Sequence, residues 1–170
     1  MPRGNGGVIM QMSLEEEAGR LLSAQGRSVA CAESCTGGLI TNRLTDIAGS
    51  SAYVHGSVIC YTNAIKQRVV GVNETTLAKH TAISAATARE MAEGVRKIMQ
   101  TDYGVSTTGN AGPSASEGQP VGLVYTAVAG PDGTKVVAHR FTGTRSGIKQ
   151  KTADVALKML IGALRTSKQA

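Results

Sequence analysis

Residues 28–47 read SVACAESCTGGLITNRLTDI, and their pattern indicates an α/β fold. Its first five residues form a run of small, mostly apolar side chains, which is typical of a strand buried on both faces of a sheet. Apolar residues then recur at helical spacing at Ile40, Leu44 and Ile47. The glycine-rich turn between the two patterns therefore joins a strand to a helix, the building unit of α/β folds.

Similar patterns continue on both sides of this unit. Ser13 and Glu16 have capping-box spacing, which predicts a helix that starts there and stops at Gly26. Residues 130–133, GPDG, separate two strand-like runs and predict a hairpin. Further strands are predicted at 53–61, 103–108, 121–129 and 134–141, and further helices at 63–70, 74–79, 84–99 and 145–165. Together they predict a three-layer α/β/α sandwich with a mixed, mostly parallel sheet of about five strands.

Finer expectations concern burial and capping. The segment VIC at 58–60 predicts a second strand buried on both faces, and Asn63 is expected to cap the helix that follows it. The two longest predicted helices should each bury one apolar stripe. These stripes contain Ala88, Met91, Ala92, Val95, Ile98 and Met99 in one helix, and Ile148, Val155, Met159 and Ala163 in the other.

Length and composition indicate one globular domain. The chain has 170 residues, of which 41% are hydrophobic, 18% are charged and 3% are aromatic. We expect residues 1–12 to be a disordered lead and residues 13–166 to form the domain. No signal peptide or 18-residue apolar run occurs, and the three cysteines favour neither a disulfide framework nor a zinc site. These features predict a cytoplasmic protein without membrane association or bound metal.

The net charge of +6 raises the question of a polyanionic partner. Residues 1–134 contain 10 Lys/Arg and 11 Asp/Glu, whereas residues 135–170 contain 8 Lys/Arg and one acid, so the excess is C-terminal. Such a segment can be a solvated helix face or can contact an anion. Because the chain has no nucleic-acid recognition motif and few aromatic residues, no nucleic-acid partner is expected.

The turn after the first strand could carry chemistry. Ser34 lies at the carboxyl end of a predicted strand and before a helix, where ligand sites of α/β proteins gather. Its hydroxyl could be a nucleophile, or it could simply cap the helix. No histidine lies in a recognisable triad pattern, whereas Lys66 also follows a predicted strand. A lysine there could act as the base if its pKa is lowered, or it could be an ordinary solvated lysine.

Two further segments could bind a nucleotide. The loop at 108–112, TGNAG, offers backbone amides and small residues that fit a phosphate or a sugar, although it could also be an ordinary loop. Arg145 and Lys149 lie one turn apart at the start of the last helix, where a phosphate would meet both cationic side chains and the helix dipole.

Five motifs give the chain a specific resemblance. They are AESCTGG at 32–38, DIAGSSAY at 46–53, YTNAIK at 61–66, TGNAGP at 108–113 and PVGLVY at 120–125. In order and spacing they resemble the C-terminal domain family of the competence/damage-inducible protein CinA, over residues 14–164. Characterised members are nicotinamide-nucleotide amidases, and the chain looks like the form without the N-terminal domain of two-domain relatives.

The resemblance implies an amidohydrolase that converts nicotinamide mononucleotide to nicotinate mononucleotide and ammonia, without a cofactor. It implies Ser34 as nucleophile, Lys66 as base and Tyr61 as a group that orients or relays the proton. It further implies a cytoplasmic homodimer. Substrate-binding residues are then expected at Glu33, Cys35, Thr36, Gly37, Gly38, Thr108, Gly109, Asn110, Ala111, Gly112, Arg145 and Lys149. The alternative is a non-catalytic nucleotide-binding or regulatory module linked to competence or DNA damage.

Departures from the family pattern occur before and within the last helix. Thr144 and Lys149 stand where the family often has Asp and Arg, whereas Arg145 is retained.

Backbone N–H groups around residues 35–37 are expected to hold the oxyanion of the reaction.

Overall fold

The computed structural model describes residues 11–167, so the disordered lead expected at residues 1–12 lies almost entirely outside the described residues. The described part alternates helices and strands along the chain. The helices are α1 (Leu14–Gln25), α2 (Leu39–Thr45), α3 (Asn63–Arg68), α4 (Glu74–His80), α5 (Ala85–Met99) and α6 (Arg145–Thr166). The strands are β1 (Val29–Glu33), β2 (Val54–Ile59), β3 (Tyr103–Gly109), β4 (Leu123–Gly130) and β5 (Gly133–Arg140).

The five strands form one mixed sheet in the order β2-β1-β3-β4-β5. Strand β1 pairs in parallel with β2 and β3, whereas β4 pairs antiparallel with β3 and β5. Strand β4 therefore runs against the other four. Helix α5 packs on one face of the sheet, and α6 packs on the other face together with α1 and α2. This arrangement confirms the predicted three-layer α/β/α fold with a mixed sheet.

Local signals explain where several elements begin and end. Ser13 and Glu16 form the predicted capping box of α1, and Gly26 ends that helix in the left-handed conformation. Ser84 accepts a hydrogen bond from the backbone N–H of Thr87 and caps α5. All five residues of β1 are buried, as the apolar run of small residues predicted. Within residues 11–167, no helix combines the length and apolarity needed to cross a bilayer.

Strand β2 and the residues after it differ from the prediction. The strand lies at the edge of the sheet, so it is not buried on both faces, and Ile59 is 54% exposed. The prediction for 58–60 was wrong because an apolar triplet does not reveal whether a strand has one neighbour or two. The cap of α3 is Thr62, whose hydroxyl accepts from the backbone N–H of Ile65, rather than Asn63.

The two predicted helix stripes are correct in part. In α5, Ala88, Met91, Ala92 and Val95 are buried, but Ile98 is 46% exposed. The last turn of α5 reaches the edge strand, where Met99 packs near Gly56 and Ile98 points to solvent. In α6, Ile148 is buried, whereas Val155, Met159 and Ala163 are only half-buried. These three side chains line a groove beside β5, together with Val137, while the opposite flank of α6 packs on α1.

Gly94 permits close packing of α5 against the chain after α3. A Cβ atom at position 94 would lie 1.8 Å from the carbonyl oxygen of Val70. We expect Gly94→Ala to lower the free energy of unfolding by about 3 kcal/mol, because backbone must move to accommodate the methyl group. The matched control is Gly162→Ala on α6, where nothing lies within 4 Å. It should stabilise the helix by about 0.5–1 kcal/mol. Urea unfolding of both variants measures the two effects. A Gly94→Ala variant with wild-type stability would contradict the close packing of α5 against Val70.

Candidate active site

The carboxyl ends of β1 and β3 and the chain after β2 meet at one edge of the sheet. There they border a cavity of about 310 Å³. Ser34 directly follows β1, and its backbone N–H donates to the carbonyl of Thr107 on β3 at 3.0 Å. Lys66 enters the cavity from α3, which begins soon after β2. The topology thus brings together two segments that are 32 residues apart in sequence.

Ser34 and Lys66 are in direct contact. The Nζ atom of Lys66 lies 3.2 Å from the Oγ atom of Ser34 and 2.9 Å from the carbonyl oxygen of Cys60. Both side chains are buried, with 2% of Lys66 and 8% of Ser34 exposed. This distance is within reach for transfer of a proton between a nucleophile and its base.

The surroundings of Lys66 favour its neutral form. Burial lowers the pKa of its ammonium group because the charged form loses hydration, while Glu117 is among the groups that act in the opposite direction. Burial raises the pKa of the neighbouring thiols, to about 11 for Cys60 and about 12 for Cys35, so both stay protonated at neutral pH. Lys66 forms no salt bridge among the described residues. A lysine in this setting can accept a proton.

Glu33 accepts hydrogen bonds from the turn after β1 and does not line the cavity. Its side chain is fully buried, and its two carboxylate oxygens accept five hydrogen bonds. The donors are the backbone N–H groups of Gly38, Ile40 and Thr41 and the hydroxyls of Thr36 and Thr41. The role expected for Glu33 in contacting substrate is therefore corrected to one of positioning, because a buried carboxylate with five donors has no free face toward a ligand.

The hydrogen bonds of the turn after β1 show which of the backbone N–H groups at 35–37, expected to hold the oxyanion, are already occupied. The N–H of Gly37 donates to the carbonyl of Ser34, and the N–H of Gly38 donates to Glu33. Within the described residues, the backbone N–H groups of Cys35 and Thr36 have no hydrogen-bond acceptor. They directly follow Ser34 in sequence, which makes them the candidate donors for an oxyanion formed there. The Thr36 hydroxyl is itself occupied, since it contacts both Glu33 and Thr107.

The end of β3 and the loop after it form a second wall of the cavity. Gly109, Ala111 and Gly112 line the cavity. The side chain of Asn110 is used within the loop: its amide donates to two carbonyl oxygens and its oxygen accepts from the N–H of Gly112. The hydroxyl of Thr108 donates to the carbonyl of Ala82 at 2.6 Å. Asn110 and Thr108 thus shape the wall, while the small residues leave room for a ligand.

Arg145 and Tyr61 lie together at the mouth of the cavity. Arg145 donates to the Tyr61 hydroxyl at 2.8 Å and to the carbonyl of Gly112. Tyr61 is 57% exposed, and its hydroxyl hydrogen-bonds with Arg145 rather than with Ser34 or Lys66. Tyr61 nevertheless lines the cavity, and its expected role in orienting or relaying the proton stays a prediction. Lys149 is not among the residues that line the cavity; its Nζ lies near the turn, 3.8 Å from where a Cβ at Gly37 would be.

Sequence reasoning missed part of the cavity lining. Glu117 contributes the one carboxylate among the described lining residues, and Ala82 and Ile83 close the wall beside it. The available signal for Glu117 was that it is the only charged residue in the otherwise small and polar loop 109–120. No histidine lines this cavity; His55 and His80 are exposed, and His139 contacts Thr126 elsewhere. Among residues 11–167, no three His, Cys, Asp or Glu side chains group as a metal site.

Comparison with known proteins identifies the family. A family profile described as the CinA C-terminal domain matches residues 11–164. The chain belongs to the CinA family. A competence-damage inducible protein of Bacillus pumilus is 46% identical to this CinA domain over 157 residues, covering 92% of the chain and 38% of the relative. One from Desulforamulus reducens is 48% identical over 146 residues, covering 86% and 36%. The CinA domain thus spans less than two fifths of these relatives.

Solved structures agree with this assignment. A CinA superfamily protein from Klebsiella pneumoniae superposes with a TM-score of 0.88 at 30% identity, covering 91% of this chain and 97% of that chain. A competence/damage inducible protein from Agrobacterium tumefaciens superposes with a TM-score of 0.84 at 40% identity, covering 90% and 96%. The CinA domain described here therefore shares its whole fold with these proteins.

Proposed function

We propose that this chain hydrolyses the carboxamide of nicotinamide mononucleotide to nicotinate mononucleotide and ammonia by a Ser–Lys mechanism. The observation that carries the proposal is the 3.2 Å contact between Lys66 Nζ and Ser34 Oγ inside a cavity. The lysine is buried without a salt bridge among the described residues, which is the condition under which it can serve as a base.

The first half of the reaction forms an ester on Ser34. Neutral Lys66 accepts the hydroxyl proton as Ser34 Oγ bonds to the carboxamide carbon. The carbonyl oxygen gains negative charge, and the free N–H groups of Cys35 and Thr36 stabilise it. The C–N bond then breaks, and the lysine gives its proton to the departing nitrogen, which leaves as ammonia.

The second half releases the acid. A water molecule takes the position that ammonia left, and neutral Lys66 accepts a proton from it as its oxygen attacks the ester carbon. The bond to Ser34 Oγ breaks, the serine recovers a proton from Lys66, and the carboxylate product departs. The cavity walls can hold the rest of the substrate: the loop backbone beside the ribose and Arg145 beside the phosphate.

The direct test incubates the purified chain with nicotinamide mononucleotide and measures both products. We expect ammonia and nicotinate mononucleotide in equal amounts. Binding of the mononucleotide without product after long incubation would contradict the enzyme assignment and support the alternative of a non-catalytic nucleotide-binding module. The relatives' names, which mention competence and damage, keep that alternative worth testing.

Arg145 should matter for the phosphate in particular. Arg145→Ala removes an exposed cation at the cavity mouth, so we expect KM for the mononucleotide to rise about tenfold, the scale of one charge-assisted hydrogen bond. The KM for nicotinamide riboside, which lacks the phosphate, should change much less. The matched control is Arg68→Ala at the end of α3, which should leave both values unchanged. Equal increases for the two substrates would indicate a general loosening of the loop at Gly112 instead.

A further inference from the structure

Glu117 stands out among the residues of the cavity. The charged side chains that line it within the described residues are Lys66, Arg145 and Glu117, and the last is the single acid. The reaction steps at Ser34 make no use of this carboxylate. A cavity that already holds a base and a phosphate-binding arginine does not need an acid for either task.

The backbone at Glu117 is in an unfavourable conformation. The residue has a φ of 50° and is followed by Gly118 with a φ of 70°. Hydrogen bonds in both directions between Ser116 and Gln119, at 3.2 and 2.8 Å, close a two-residue turn around them. A turn with both central residues left-handed favours Asn, Asp or Gly at the first position. A glutamate there costs about 1 kcal/mol or more, and such costs tend to persist at functional sites.

The carboxylate is held in place at the cavity wall. One of its oxygens accepts a hydrogen bond from the backbone N–H of Ala82 at 2.9 Å, and Ala82 also lines the cavity. Its negative charge is close enough to raise the pKa of Lys66 against the effect of burial. A ring whose carboxamide reaches Ser34 would therefore lie in the field of this carboxylate.

We propose that Glu117 selects carboxamides carried on a positively charged, N-substituted pyridinium ring over the same carboxamide on a neutral ring. This inference rests on the proposed function and specifies its substrate class. In nicotinamide mononucleotide the cationic ring nitrogen is two bonds from the carbon that bears the carboxamide. Glu117 then faces the cation while Arg145 faces the phosphate, so the cavity matches a zwitterion.

The test compares nicotinamide mononucleotide with its reduced dihydro form, in which the ring is neutral. Binding is measured by calorimetry on the Ser34→Ala variant, so that differences in ring reactivity do not enter. Adding Glu117→Gln keeps an oxygen for the Ala82 N–H and removes the charge. We expect affinity for the oxidised form to fall about three- to fivefold, the scale of a solvated ion pair, with no change for the reduced form. The difference should shrink as salt is added.

Two further variants separate charge from loop structure. Ser116→Ala alters the neighbouring residue of the same turn without changing its charge, and it should preserve discrimination between the two forms. Glu117→Asn suits the left-handed turn better, so we expect an equal or higher Tm together with the same loss of discrimination. Stability retained with selectivity lost is not what a merely structural role of Glu117 would give.

The outcomes distinguish this inference from the proposed function. Glu117→Gln could weaken binding of both forms equally or weaken binding of neither. Either result would overturn the selection, while ammonia release by the wild type would still support the amidase assignment. Absence of ammonia release from the mononucleotide by the wild type would overturn both. Weaker binding of the oxidised form alone, in a wild type that releases ammonia, is the result that supports the selection.

Discussion

Lys66→Met should lower kcat for nicotinamide mononucleotide by about 10³-fold or more, the scale of a lost general base and of the activated nucleophile that depends on it. Ser34→Ala should be equally inactive. In the proposed mechanism Ser34 and Lys66 act as one unit through their 3.2 Å contact, so the double variant should be no worse than either single variant. Ammonia release under saturating substrate measures all three.

Two further substitutions test whether Lys66 acts as a base or only supplies a positive charge. Lys66→Arg keeps a cation but supplies a guanidinium that stays protonated, so it should be as inactive as the methionine variant. Lys79→Met removes an exposed lysine from α4 and should leave kcat unchanged. If Lys66→Met retained a tenth of the wild-type activity, Lys66 could not be the base.

The pH dependence follows from the same lysine. Burial lowers the pKa of Lys66, and only the neutral form can accept the serine proton. The value of kcat/KM should therefore rise with pH and level off above the lowered pKa, at a lower pH than an ordinary lysine would give. Stability should change with pH in the same direction. Because the pKa of Lys66 is lower in the folded state than in the unfolded state, the free energy of unfolding should increase as the pH rises from the first value to the second.

Much of the fold could be predicted because its signals are local. The capping box at Ser13, the stop at Gly26 and the apolar run of β1 each depend on a few adjacent residues. Strand order is different, because it depends on contacts far apart in sequence. The triplet at 58–60 reads the same whether its strand is central or at an edge, which is why the burial predicted for it was wrong.

The candidate site was predictable in outline for a similar reason. Ser34 and Lys66 each follow a predicted strand, where ligand sites of α/β proteins gather, but the sequence did not show that the lysine reaches the serine. The carbonyl of Cys60 that anchors the lysine is a backbone group and carries no sequence signal. The two glutamates were harder to assign, because the side toward which each carboxylate points is set by tertiary packing: Glu33 turns inward, and Glu117 faces the cavity.

Glu33→Gln should destabilise the fold and impair catalysis together. One oxygen of Glu33 accepts from Gly38, Ile40 and the Thr36 hydroxyl, and the other accepts from both groups of Thr41. A glutamine offers one oxygen and turns an N–H₂ donor toward the other set. The Thr41 hydroxyl can rotate to accept from this amide, but at least one backbone N–H of the turn loses its acceptor, so we expect a loss of about 1–3 kcal/mol and a drop in Tm of about 2–12 °C.

The effect on activity should be seen in kcat even where the variant is folded. The five hydrogen bonds of Glu33 fix the start of α2, and the free N–H groups of Cys35 and Thr36 lie in the same turn. In the proposed mechanism those donors bind the oxyanion of the transition state, so a shift of the turn by a fraction of an ångström weakens that interaction. Binding of the substrate itself depends on it less, so we expect kcat to fall while KM changes little. Glu16→Gln is the control, because that exposed carboxylate also receives a helix N-terminal bond but lies far from the cavity. A Glu33→Gln variant with wild-type Tm and kcat would show that the carboxylate does not hold the turn.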